Sequence, residues 1–255
     1  MDRPALDRWT LLGERKDDLL TLPEVEAYGS ENYGDPDYVS LYGLRPAGWH
    51  ARGVRIAGRT AVECTRDLLA DLIGRDVAAL AARSAADCVP LVVDLFAGSA
   101  NTLYWLSRRV NADRAVGFES DDTVFALTEA NLSLVAGGVE LIHDSYETGL
   151  PALNLGHGGL VVFFVAPPWG RALSGESGLD LRGTTPPVAD VLRFCSLALG
   201  ARPMLFAVQV ADQVEQDSLA DVPAMLEWSA LRMYDINAPG HRAGVLLGTS
   251  GWRPR

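Results

Sequence analysis

Three carboxylates stand at the ends of three successive apolar runs, and an aromatic lip ends a fourth. Asp94 closes Leu91-Val92-Val93, Glu119 closes Ala115-Val116-Gly117-Phe118, and Asp144 closes Leu141-Ile142-His143. The fourth run, Leu160 to Val165, ends on Ala166-Pro167-Pro168-Trp169. An ionised carboxylate accepts hydrogen bonds and steadies positive charge. Glu119, 25 positions after Asp94, can accept from both hydroxyls of a ribose. Asp144 can accept from the amino group of a base, and Asp94 can favour a cation. Two consecutive prolines fix the backbone and remove two donors, which frees the Ala166 carbonyl to accept from a ligand. Trp169 can stack on a flat molecule or face a positive charge.

The loop after Asp94 completes this set. Gly98 lets backbone approach a ligand closely, and the small residues Ala97, Ser99 and Ala100 keep the loop low. A helix beginning at Asn101 or Thr102 points free N–H groups and its positive dipole end at the same place, where a carboxylate fits. A sulfonium, an ammonium, a carboxylate, a ribose and an adenine occur together in S-adenosylmethionine (SAM). We therefore read Asp94, Phe96, Ala97, Gly98, Ser99, Asn101, Thr102, Glu119, Ser120, Asp144 and Ser145 as a SAM site. A dinucleotide site is excluded, since Gly98 is the only glycine between residues 94 and 107 and no G-x-G-x-x-G forms. Ala166, Pro167, Pro168 and Trp169 are the candidate catalytic lip. No metal site is expected, because the three cysteines and four histidines are scattered.

Strand and helix patterns alternate from residue 90 onward. Strands are expected near 91–96, 115–119, 139–143, 159–165, 203–210, 230–236 and 243–248. Helices are expected near 101–110, 121–135, 185–199 and 212–227. This alternation predicts a parallel sheet covered on both faces, with an antiparallel pair at its end. Thr60 and Glu63 have capping-box spacing, and the helix they open runs through Leu68, Leu69, Leu72, Ile73, Val77 and Leu80. Residues 1–59 show no persistent period, and they read as an arm or lid packed by Tyr28, Tyr33 and Tyr38.

Arg45 to Arg59 holds Arg45, His50, Arg52, Arg55 and Arg59 with no acidic residue. Arginine's planar fork suits phosphate and carboxylate. Arg45, His50, Arg52 and Arg55, with Tyr38 and Trp169, are therefore the expected substrate contacts. The net charge of −11 opposes broad nucleic-acid binding. The cysteines Cys64, Cys88 and Cys195 read as reduced core residues of a cytoplasmic protein, and neither a signal peptide nor a membrane span is expected.

Residues 90 to 250 resemble the class I SAM-dependent methyltransferases, and among them the trimethylguanosine synthase group of RNA cap guanine-N2 methyltransferases. The resemblance rests on Asp94-Leu95-Phe96-Ala97-Gly98 with Asn101-Thr102, on Pro167-Pro168-Trp169-Gly170, and on Leu179-Asp180-Leu181-Arg182 followed by Pro186. It implies a seven-stranded Rossmann-like α/β fold, with residues 60–255 as the methyltransferase domain and 1–59 as an N-terminal extension. It also implies SAM as donor, places Thr60 near the cofactor, and has Trp169 stacking on the acceptor. The group carries Ser, Asn or Asp ahead of the double proline and a glycine pair late in the first loop; this chain has Ala166 and Ala100-Asn101. The expectation is methyl transfer to a carbon or nitrogen of a small, anionic metabolite. An RNA guanine-N2 methyltransferase and a non-catalytic SAM-binding module are the alternatives.

Overall fold

A computed structural model describes residues 6–84, 89–135, 138–155, 159–236 and 242–254. The elements in chain order are α1 (Arg8–Leu12), α2 (Leu22–Tyr33), α3 (Pro46–Ala51), α4 (Gly58–Glu63), α5 (Asp67–Ala81), β1 (Leu91–Asp94), α6 (Asn101–Val110), β2 (Arg114–Glu119), α7 (Asp122–Val135), β3 (Glu140–His143), α8 (Tyr146–Ala152) and β4 (Val161–Val165). A short hairpin, β5 (Leu173–Ser174) with β6 (Gly178–Leu179), precedes α9 (Val188–Leu199), β7 (Met204–Ala211), α10 (Gln216–Asp221), β8 (Trp228–Asp235) and β9 (Arg242–Ser250).

Seven strands form one sheet in the order β3-β2-β1-β4-β7-β9-β8. The first five are parallel, whereas β9 runs antiparallel to both β7 and β8. Strand order therefore reverses between β1 and β4, where open α/β sheets bind ligands. Alternate residues of each strand serve opposite faces. Val92, Phe164 and Leu205 join one core with α5 and α6. Val93, Phe163 and Phe206 join the other, which α8 and α9 cover.

The expected strands and the helices near 101–110, 121–135 and 185–199 are present, with small shifts at their ends. The helix expected near 212–227 is only a six-residue turn, α10, followed by a short 3-10 segment. The segment read as aperiodic holds three helices. Thr21 and Glu24 form the capping box that opens α2, with the Thr21 N–H donating to Glu24 Oε2 at 2.9 Å. Leu11, Tyr28 and Trp49 from this segment are fully buried in the first core. Their partners are non-local, and short helices leave little periodic trace.

No capping box forms at Thr60. Its helix has already begun at Gly58, where a Cβ would lie 2.2 Å from the Arg15 carbonyl oxygen, so glycine lets α4 press onto α1. The single expected helix is broken instead at extended Cys64 and Arg66. Tertiary hydrogen bonds hold that break. The Thr65 carbonyl accepts from Asn101 Nδ2 at 2.8 Å, and Thr65 Oγ1 donates to Gln209 at 2.6 Å.

Candidate active site

A cavity of about 640 Å³ opens above the carboxyl ends of the central strands. Its walls include Asp94, Phe96, Ala97, Gly98, Ser99, Thr102, Glu119, Ser120, Asp144, Ser145 and Thr60. Ala166, Pro167, Pro168, Trp169 and Tyr38 line the same cavity.

The loop after β1 is preorganised by Glu119. Its Oε2 accepts from the Gly98 N–H at 3.0 Å and its Oε1 from the Asp121 N–H at 2.8 Å. Each oxygen keeps a further lone pair for a ligand hydroxyl. Gly98 has φ +50° and nothing within 4 Å of where a Cβ would point, so the backbone there is open to a ligand. Thr128 fixes the Gly98 carbonyl at 2.7 Å. Asp94 is 1% exposed, and its carboxylate accepts from the Phe96 N–H at 3.1 Å. Burial lifts its pKa to about 7 against the pull of that hydrogen bond, and nearby Glu119 adds to the rise. Burial raises Glu119 as well. Both carboxylates are thus desolvated and hold their protons more tightly than exposed ones.

Asp144 lies at the end of β3 and accepts from the Ser145 N–H at 2.7 Å. Ser145 then caps α8, accepting from the Thr148 N–H. Across the cavity, the Tyr33 and Tyr38 rings stack 3.5 Å apart and 4° from parallel. Together with Trp169 they give the cavity an aromatic lining.

Five expected site residues lie elsewhere. Asn101 is fully buried and does not line the cavity. It ties the loop to the N-terminal segment, accepting from the Tyr42 N–H at 2.7 Å and donating to the Thr65 carbonyl. Arg45, His50, Arg52 and Arg55 also lie outside the lining. On α3 the fully buried Trp49 takes the inward position and donates to the Val39 carbonyl at 2.9 Å. Arg45 is consequently exposed and paired with Asp37, and Arg52 is exposed too. The Arg55 guanidinium is held by the His50 and Val54 carbonyls at 3.0 and 2.7 Å. Of that basic segment only Arg59 reaches the cavity, paired with Asp17 and Asp121. Arg182 of the Leu179–Arg182 stretch clasps α10 through Asp221 at 2.6 Å. Cys195 is buried and Cys64 partly so, and Cys88 lies outside the described residues.

The cavity also contains residues that motif reading passed over: Arg8, Thr65, Arg66, Gln209 and Arg242. Arg66 stands at the N-cap of α5, where the helix dipole disfavours a cation.

No protein-family model and no curated protein matches the chain. Solved structures do. The fold is that of the class I SAM-dependent methyltransferases. Among the similar structures, "METTL16 MTase domain" superimposes with a TM-score of 0.54 at 13% identity, covering 76% of this chain and 72% of that one. "delta-N METTL16 MTase domain" gives 0.52 at 13% identity, with 74% and 84% covered. "Crystal structure of the N-terminal domain of human METTL16" gives 0.50 at 14% identity, with 73% and 70% covered. At these identities the likeness is one of fold. Among the described residues no helix is long and apolar enough to cross a membrane.

Proposed function

We propose that this chain is a SAM-dependent methyltransferase acting on a carbon or nitrogen of a small organic molecule. The observation that carries this reading is one cavity in which Asp94, Glu119 and Asp144 line one part and Ala166 to Trp169 another. SAM brings a cation, a ribose and an adenine, and the residues present fit each. Asp94 suits the cationic end, Glu119 the ribose hydroxyls and Asp144 the adenine amine. The open backbone at Gly98 and the first turn of α6 suit the carboxylate.

When bound, SAM supplies an electrophilic methyl group on a sulfonium. The protein's part is to align the acceptor, keep water out and arrange the charges. Glu119 holds the loop rigid through its two backbone hydrogen bonds. Pro167 and Pro168 fix the lip, and Trp169 with the Tyr33–Tyr38 stack grips a flat or electron-rich acceptor. The Ala166 carbonyl can accept from an acceptor N–H. Its methyl side chain leaves a carbon nucleophile equally well accommodated.

Carboxylates outnumber guanidiniums in the cavity wall, in keeping with a net charge of −11. That distribution favours a small molecule over a polyanionic RNA. Calorimetric titration with SAM and S-adenosylhomocysteine tests the cofactor assignment. Micromolar binding is expected, and Glu119→Ala should weaken it about tenfold or more, in the range of a lost charge-assisted hydrogen bond. Absence of binding in the wild type overturns the reading. Binding without turnover across a broad panel of small carbon and nitrogen acceptors would favour a non-catalytic binding module.

A further inference from the structure

Arg66 is 3% exposed and lines the cavity. Its guanidinium packs over the Tyr38 ring at 4.2 Å, and Nη2 donates to the Ile236 carbonyl at 2.8 Å. Nε and Nη1 are shielded from solvent and have no hydrogen-bond partner among the described residues. No ion pair serves Arg66 among the described residues. The adjacent Asp67 faces elsewhere, accepting from the Gly43 N–H at 3.0 Å and from Trp105 Nε1 at 2.7 Å.

A permanently charged, desolvated group without a counter-charge is a rare arrangement. Arginine does not relieve it by losing a proton. Nor does helix capping account for it, since a cation at this end of α5 opposes the dipole. Thr65, next to Arg66, donates to the Gln209 carbonyl oxygen at 2.6 Å, and the Gln209 amide NH₂ is a further donor group in the cavity lining. The stacked tyrosines hold the guanidinium from one side.

Building on the methyltransferase reading, we propose that Arg66 is the receptor for an anionic group, a carboxylate or phosphate, carried by the methyl acceptor. The Arg66 side chain turns toward the cavity on binding, so that Nε and Nη1, closed to solvent in the ligand-free structure, donate to the oxygens of that group. The acceptor's flat portion then lies between the tyrosine stack and Trp169. Anion recognition thereby belongs to the break between α4 and α5, and the Arg45–Arg55 segment has no part in it.

The test uses the full chain saturated with S-adenosylhomocysteine and titrated calorimetrically with benzoate and phenyl phosphate, with benzamide as the neutral control. One or both anions should bind, with benzamide at least tenfold weaker. Arg66→Met should lose at least tenfold in anion affinity while S-adenosylhomocysteine affinity stays within twofold. The melting temperature of ligand-free Arg66→Met should equal or exceed that of the wild type, because an uncompensated charge has been removed. Arg66→Lys, which keeps the charge without the planar fork, should fall between the two. It supplies the comparison if Arg66→Met fails to fold. Cofactor binding with no preference for anions overturns the Arg66 assignment alone. So does a large drop in melting temperature with anion affinity unchanged, which would make Arg66 a structural cap. Loss of cofactor binding in the wild type overturns the underlying methyltransferase reading instead.

Discussion

Asp94 and Arg66 are an acidic and a basic side chain buried in the wall of one cavity. Asp94 gives a pH signature. Burial holds its proton on up to about pH 7, while the unfolded chain releases it near 3.8. The native state therefore binds this proton more tightly than the unfolded state. The stability Asp94 contributes is fully present below pH 3.8 and is lost as pH rises through about 7. A cationic ligand reverses the preference, since it favours the ionised carboxylate. SAM affinity should rise with pH, by up to about tenfold per unit below pH 7, and level off above it. Calorimetry from pH 5.5 to 8.5 checks this. In Asp94→Asn the slope should flatten and affinity at pH 8 should fall at least tenfold. A wild-type profile flat across that range would remove Asp94 from the cationic end.

At the scale of elements, the break between α4 and α5 and the start of α6 act as one clamp. Asn101 joins them, with Tyr42 on one side and Thr65 on the other. Asn101→Ala would leave a buried N–H and a buried carbonyl without partners, a loss of about 2–3 kcal/mol. Urea unfolding measures that loss, and a change under about 0.5 kcal/mol would show that the clamp is dispensable. This clamp also marks where sequence reading stops. The strands, the three carboxylates and the proline lip were legible because each lies in a local pattern: an apolar run, then a turn, then a polar residue. Asn101 was read as a cofactor ligand because its position beside the loop is right, but its side chain is turned inward by partners 36 and 59 residues away. The Arg45–Arg59 segment looked like an anion site by composition alone. The buried side of α3 belongs to Trp49, and no periodic signal of a six-residue helix could reveal which way its neighbours face. Arg66 was missed for the complementary reason, being a single arginine inside an apparently continuous helical period.

Across the whole molecule, residues 6–59 are part of what holds the sheet. Leu11, Tyr28 and Trp49 are all fully buried in the core that β1, β4 and β7 also enter. Trp49→Ala should lower stability by about 3–5 kcal/mol, a large share of the 5–15 kcal/mol typical of a folded domain. Deleting residues 1–59 should give a chain that exposes apolar surface and binds a hydrophobic dye. Cooperative unfolding of the truncated chain, seen by circular dichroism, would contradict this.

The position of β9 bears on the order in which the molecule can be assembled. Residues 242–250 follow β8 in the chain, yet they lie between β7 and β8 and supply both with partners along eight registered pairs each. Until they are synthesised, β8 has no strand of the sheet to pair with, and β7 keeps one edge open. An unpaired apolar edge is a template for other chains. A growing or prematurely terminated polypeptide therefore carries a high risk of self-association once β7 and β8 are made and before β9 arrives. A stop codon after residue 236 should drive the protein into aggregates even though the described walls of the cavity, apart from Arg242 and Ala243, are already encoded.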